Sequence, residues 1–423
     1  MFKFSSFVAT ALSCFACLPL PSFGVDSYSI HFPSLANDQS YACAINAHGT
    51  VVGKAEKEKG YLDFIWFPKT GIQRFTFNAS SSFPVINNLN KVFGTGWFAV
   101  PSWWSSHGSF VKSFYSINSQ YVLREINPPN FFPSLQQVEN SQLLRYLDNH
   151  ELAVLSCNDS GELLIADFFD PSHAKKFAVS ILQDLDTTSE NFWSRQNFSL
   201  IDEKILSQAN FMNHRRMILG KCWQQGKKGM LRYIAIYDLT TQGVTPLFVD
   251  KGYTLSGFND AGQICGWKMT HQTDELEGFL WDPEKGFQFL GDFLPHALNN
   301  RGQMVGNIKT EANSGYYLSD YPNAIEKLDA LKFYVWHPCV WLNGEAVPIQ
   351  DLLSLDTLPC TILNLNGIND EGKIIGNAFL DKRRIQAIVL TPIDTEEIAL
   401  IDHPLTKHEI ATEENEVVAH SVP

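Results

Sequence analysis

One small phrase, written repeatedly along the chain, limits what this sequence can fold into more than any other feature. Residues 257–269 read GFNDAGQICGWKM, and the pattern Asn-x-x-Gly-x-x-x-Gly returns in INAHGTVVG, LNNRGQMVG and INDEGKIIG. Four copies are complete: Asn46/Gly49/Gly53, Asn259/Gly262/Gly266, Asn299/Gly302/Gly306 and Asn369/Gly372/Gly376. Each reads as a hairpin. An apolar residue closes one strand, and the Asn side chain can bond its own backbone two residues on. The first Gly supplies the positive φ of a type I turn with a G1 bulge. A β-branched run then opens the return strand. The second Gly falls inside that strand, where a missing side chain predicts close approach of a neighbouring backbone.

Three further copies are eroded. INNLNKVFG keeps Asn87 and Gly94 but carries Asn90 at the turn, the next most tolerant residue in the left-handed region. MNHRRMILG keeps Asn213 and Gly220 but has Arg216 there, which fits less well. A seventh is placed by position around LDNHELAV, with Asn149. About twenty residues after each turn comes an apolar-aromatic strand: DFIWFP, IADFFDP, YIAIYDL, GFLWDP, CVWLNG and AIVLTP. Several are followed by a second turn with Gly, as in PKTGIQRF, DPEKGFQFL and LNGEAVPI.

Each unit therefore holds at least four short strands, at turn-to-turn spacings of 40–70 residues. Such units are the marks of an all-β protein, a β-propeller of four-stranded antiparallel sheets, here with seven blades. Six or eight blades and an open β-solenoid are the rival counts and forms. YSIHFPSL, ahead of the first turn, is strand-like and is expected to complete the last blade and seal the ring. PNAIEKLDALKF reads as a short inserted helix.

The ends carry different information. MFKFSSFVATALSCFACLPLPSFG has Lys3, an apolar run and small residues at Ser22 and Gly24, the order of a secretory signal. The expected division is residues 1–24 signal peptide, 25–393 propeller and 394–423 an acidic, disordered tail. No later stretch has the ~18 apolar residues of a membrane span. Eight acidic side chains and one Lys in the tail account for about half of the net charge of -13. That balance argues against nucleic acid, whose phosphates demand a basic surface. Past the signal remain Cys43, Cys157, Cys222, Cys265, Cys339 and Cys360, widely spaced, as disulfides or as buried thiols.

The turns and strands resemble a known repeat. FNDAGQICGWKM…GFLWDPEKGFQFLGD, residues 258–292, looks like one full copy of the probable extracellular repeat, HAF family, found mostly in bacteria. Residues 45–77, 298–306 and 368–391 match in part, and 85–245 match poorly. The resemblance implies a repeat architecture and an exported location: periplasm, cell surface or outside the cell. It implies no catalytic residues.

Chemistry is sparse. The sequence has no G-x-S-x-G elbow, no H-E-x-x-H, no Walker loop and no EF-hand loop. No catalytic, metal or cofactor residue is therefore assigned. In HQTDELEG, His271, Asp274, Glu275 and Glu277 could do acid–base work but read as a polar hairpin loop. His403, His408 and Glu409 read as solvated tail charge. Trp103 and Trp104, in VPSWWSSHGSF, stand outside an alternating strand pattern and are the candidate ligand-binding residues. Phe131 and Phe132 raise the same question. Asn78, Asn158 and Asn197 head glycosylation sequons, which count only in a eukaryotic secretory protein. The expected function is an exported, monomeric, non-enzymatic propeller that binds a protein or glycan partner; the alternative is a propeller hydrolase or lyase acting on a polysaccharide.

Overall fold

A computed structural model describes residues 27–33, 39–57, 60–75, 84–99, 110–117, 123–126, 150–169, 177–183, 198–201, 208–226, 229–269, 275–311, 334–353, 360–381 and 384–393. These form seven four-stranded antiparallel sheets. The chain opens with β1 (Ser27–His31), which is used last. The first sheet is β2 (Ser40–Ile45), β3 (Val51–Lys57), β4 (Gly60–Phe67) and β5 (Gly71–Phe75). The second is β6 (Val85–Ile86), β7 (Val92–Ala99), β8 (Phe110–Ile117) and β9 (Leu123–Ile126). The third is β10 (His150–Cys157), β11 (Glu162–Phe169), β12 (Phe177–Gln183) and β13 (Phe198–Ile201). The fourth is β14 (Gln208–Met212), β15 (Met217–Gly226), β16 (Gly229–Asp238) and β17 (Gly243–Val249). The fifth is β18 (Tyr253–Phe258), β19 (Ile264–Met269), β20 (Leu276–Asp282) and β21 (Gly286–Phe289). The sixth is β22 (Phe293–Leu298), β23 (Met304–Glu311), β24 (Tyr334–Leu342) and β25 (Glu345–Pro348). The seventh is β26 (Thr361–Ile368), β27 (Ile374–Asp381) and β28 (Arg384–Ile393), closed on its outer edge by β1. The fold is a β-propeller.

The turn between the first two strands is the same in every sheet. In each, the Asn backbone N–H donates to the oxygen four residues on, and the N–H three residues on donates back to the Asn oxygen. That is the type I turn with G1 bulge expected of the motif. The Asn Oδ1 accepts from the backbone N–H of the fourth residue: Thr50, Lys91, Glu162, Met217, Gln263, Gln303 and Lys373. The third position has positive φ in all seven sheets. It is Gly49 at 76°, Gly161 at 75°, Gly262 at 81°, Gly302 at 77° and Gly372 at 80°. In the other two it is Asn90 at 58° and Arg216 at 63°.

The inward strand then bulges, between Ala42 and Ala44 in the first sheet and between Pro295 and Ala297 in the sixth. Opposite the bulge lies the second Gly of the motif, and backbone fills the place where its side chain would go. A Cβ on Gly53 would collide with the oxygen of Tyr41, on Gly266 with that of Thr254, on Gly306 with that of Leu294 and on Gly376 with that of Asn364. Gly94 and Gly220 hold the same place in β7 and β15.

Sheets bury both faces against their neighbours. Phe64 and Val51 of the first pack with Ile375 and Val389 of the seventh, all at most 1% exposed. Tyr253 and Phe279 of the fifth, ring centroids 5.0 Å apart, meet Leu219 and Ile234 of the fourth. Burial of one such aromatic or aliphatic side chain stabilises by roughly 1.5–3 kcal/mol, so each seam adds several kcal/mol. Tyr28, on β1, is buried beside Ile388 and Leu390, and that burial pushes its phenol up to about 12. β1 thus seals the closing sheet as a packed strand.

Two sequence expectations are corrected. The third sheet turns at Asn158 and Gly161, between β10 and β11, and not at Asn149, which lies outside the described residues. CNDSGELLI keeps Asn and the turn Gly but puts Ile165 where the interior Gly should be, so it escaped the pattern. IADFFDP consequently belongs to the second strand of its sheet, β11, whereas the other five aromatic segments are third strands. The six cysteines are free thiols. The signal, the tail, the inserted helix, Trp103, Trp104, Phe131, Phe132, Asn78, Asn197, and His271 with Asp274 fall outside the described residues.

Candidate functional site

The Asn of every turn reaches beyond its own sheet. Asn46 donates through Nδ2 to the backbone oxygen of Asn87 at 3.0 Å, and Asn87 to that of Asn158 at 3.1 Å. Asn213, Asn259, Asn299 and Asn369 pass the same bond to Asn259, Asn299, Asn369 and Asn46, at 2.8–3.1 Å. All seven Asn are at most 5% exposed. A buried amide left unpaired would cost about 1–3 kcal/mol, so these residues are held to their role by the need for partners. One link of the seven is missing. Asn158 instead donates to Glu162 Oε2 at 2.8 Å and faces Met212 Sδ at 3.9 Å.

The seven sheets together line a half-open cavity of about 180 Å³ at the axis. Its apolar layer takes one residue per sheet, the one just before each Asn: Ile45, Ile86, Cys157, Met212, Phe258, Leu298 and Ile368. Among the described residues, its lining includes the turn Asn of five sheets but none of the motif glycines. Gly49, Gly262, Gly302 and Gly372 bend the chain beside the cavity, and Gly53, Gly94, Gly220, Gly266, Gly306 and Gly376 sit further along the second strands. The glycines of the phrase therefore shape the sheets that carry the site and touch no ligand space.

The residues just after the Asn form the cavity's mouth. There five of the seven side chains cap the neighbouring sheet's backbone: Asn88 Oδ1 accepts from Ala47 N, and Asp159 Oδ1 from Asn88 N, both at 2.8 Å. Asp260 accepts from His214 N, Asn300 from Asp260 N, and Asp370 from Asn300 N. Asn300 Nδ2 also donates to both Asp260 and Asp370, at 3.1 and 2.9 Å. The mouth thus carries carboxylates and an imidazole from different sheets. His214 Nδ1 lies 3.1 Å from Asp159 Oδ2, both side chains 38% exposed.

No metal-holding group of three or more His, Cys, Asp or Glu occurs among the described residues. Glu277 is paired with Lys268 Nζ at 2.9 Å. Asn158 is fully buried in the ring, which removes it as a glycan acceptor. Burial pushes the Cys265 thiol up to about 12, and Cys157 is raised for the same reason, so neither is a thiolate at neutral pH.

At the sheet ends away from the Asn turns, large side chains are exposed. Trp223 is 49% exposed on the long β15–β16 hairpin, with the Arg232 guanidinium 5.9 Å from its ring centroid. Met230 on the same hairpin, Phe289 at the end of β21 and Trp336 near the start of β24 are exposed too. Sequence reasoning passed over Trp223 because KCWQQG alternates like any strand; only the length of the hairpin carries it past the body of the sheet.

No family model matches the chain, and no curated protein is similar to it. Among solved structures, the β-propeller domain of the Trilobed protease from Pyrococcus furiosus is similar over 83% of this chain and 95% of that one, at 11% identity and a TM-score of 0.48. The acylaminoacyl peptidase of Pyrococcus horikoshii is similar over 74% of this chain but only 45% of its own, at 11% identity and a TM-score of 0.44. A virginiamycin B lyase from Staphylococcus aureus is similar over 86% and 100%, at 10% identity and a TM-score of 0.40. Likeness at this level carries no argument about activity; the fold rests on the chain's own sheets.

Proposed function

We propose that the protein is an exported, non-enzymatic β-propeller of the extracellular-repeat type that binds a protein or glycan partner through the rim opposite its Asn turns. The observation that carries this reading is the exposure of Trp223, at 49%, on a hairpin stiffened by ten paired residues on each strand. An exposed indole on a rigid element is a stacking face for a sugar ring or an anchor for a protein. The export component rests on the N-terminal segment and the repeat resemblance. With cleavage after Gly24, the sealing strand β1 would begin three residues further on, at Ser27. A screen against glycans and envelope or host proteins tests the reading. Binding that survives both Trp223→Ala and a Trp103→Ala/Trp104→Ala double variant would remove this rim from the account.

A second reading is favoured by the His214–Asp159 contact at the mouth, an imidazole oriented by a carboxylate beside two more carboxylates. This is the constellation a propeller hydrolase or lyase would need. Against it, all three mouth carboxylates hold a neighbouring backbone N–H. Turnover of a polysaccharide panel that vanishes in His214→Ala would establish the enzyme and displace the first reading.

A further inference from the structure

A propeller whose last sheet is completed by its first strand is expected to open where the two chain ends meet. Here, among the described residues, that seam is tied by neutral hydrogen bonds along its length. Between the seventh and first sheets, Asn377 Oδ1 accepts from Ala42 N at 3.0 Å and Asn366 Nδ2 donates to Ala42 O at 2.9 Å. Ser40 Oγ bonds Gln386 Oε1 and accepts from Ala387 N. The Asn369–Asn46 link is added to these.

The seam between the third and fourth sheets is built differently. It alone lacks the Asn-to-Asn link, because the Asn158 amide is drawn to Glu162 and to the Met212 sulfur, a weak acceptor. Two side-chain contacts stand in its place: the Arg216 guanidinium on both Glu162 oxygens, an ion pair at 2.7–3.1 Å, and His214 Nδ1 at 3.1 Å from Asp159 Oδ2. Arg216 makes its contact from a left-handed backbone, φ 63°, that an L side chain rarely adopts. Its side chain is 37% exposed, so the contact is open to screening by salt, which a neutral amide link is not. Ser156 Oγ to Met212 O, at 2.9 Å, and the apolar cluster of Leu164 with Ala209, Met212, Ile218 and Tyr237 remain.

We propose that the ring opens at the seam between the third and fourth sheets, a charge-held latch, and not at its chain-end closure. Cys157, Met212 and His214 border the axial cavity at this seam, so opening gives lateral entry to it.

The seven turns carry their own ruler, since the N–H four residues after each Asn is bonded in the same way. Hydrogen exchange of these seven amides in the full chain is the test. The amides of Glu162 and Met217 are expected to exchange about tenfold faster than the other five, and faster still as NaCl rises from about 0.05 to about 0.5 M. Met212→Ile, the residue found at positions 45, 86 and 368, removes the sulfur and is expected to bring both amides back toward the rest. Uniform exchange at all seven turns, or fastest exchange at Lys373 and Thr50, would overturn the proposal. So would a Glu162–Met217 excess that ignores salt.

Discussion

Asn369 donates through Nδ2 to the backbone oxygen of Asn46, 3.1 Å away and 323 residues earlier in the chain. The same side chain fixes its own turn through Oδ1. One amide thus does both jobs that a radial arrangement of sheets requires, shaping a hairpin and tying it to the next.

Removing such an amide is expected to be costly. Asn259→Ala loses the bond to Asn299 O, the bond to Gln263 Oε1 and the cap on Gln263 N. A loss of about 2–4 kcal/mol is expected in urea unfolding, two or three buried hydrogen bonds' worth. Asn259→Asp keeps the cap but turns a donor into a second acceptor facing the Asn299 oxygen, and should recover only part of that loss.

The interior and turn glycines should respond differently to a methyl group. Gly306→Ala drives Cβ into the backbone oxygen of Leu294, which cannot move aside, and about 3 kcal/mol of destabilisation is expected. Gly286→Ala meets open space, and its cost is the left-handed backbone alone, about 1–2 kcal/mol. Equal melting-temperature shifts in the two variants would contradict the close-approach reading of the motif's second Gly.

Arg216 and Glu162 should behave as a coupled pair. Arg216→Gly relieves the left-handed backbone but strips a buried carboxylate of its guanidinium, with a net loss of about 2 kcal/mol expected once partial exposure of the Arg is allowed for. Adding Glu162→Gln gives the Gly-Gln sequence of the turns at 262–263 and 302–303. The double variant should return to within about 1 kcal/mol of the parent, a coupling that a double-mutant cycle reads directly.

His296 should make stability pH-dependent on its acid side. It sits at the bulge of β22, its Nδ1 3.3 Å from Leu365 O, which can only accept, so the proton is on Nδ1. Nε2 then faces the Asn307 amide at 3.5 Å. Burial lowers its pKa, with the Leu365 bond opposing. The folded state therefore binds its proton at lower pH than the unfolded state, whose value is about 6.5. The contribution is present above that value and is lost as pH falls below it. His296→Gln, which can still donate to Leu365 O, should flatten the stability profile between about pH 6.5 and 5; an unchanged slope would show that another group is responsible.

The turns were legible because their contacts are local. An Asn that caps an N–H four residues on, and a third position that needs positive φ, leave their mark within five letters. Asn90 was readable as a substitute for Gly on those grounds, and it takes φ 58°. Asn158 was missed since its sheet keeps the turn but drops the interior Gly, on which the pattern leaned. Arg216 fits the turn poorly by itself; its reason is Glu162, which comes from a different sheet.

The mouth of the channel was not legible at all. Asp159, His214, Asp260, Asn300 and Asp370 each follow a turn Asn, at a position that takes Ala, Asn, Asp or His, and only the fold brings them together. The repeated hairpin could be read from the letters, because each turn is closed by bonds spanning three or four residues. The closure of the seventh sheet by β1 was legible too, from a strand-like segment ahead of the first turn; which sheet each amide joins and which seam is held by charge became visible only in the folded ring. In each case the acceptor is a backbone oxygen or a distant side chain, and a backbone oxygen has no letter in the sequence.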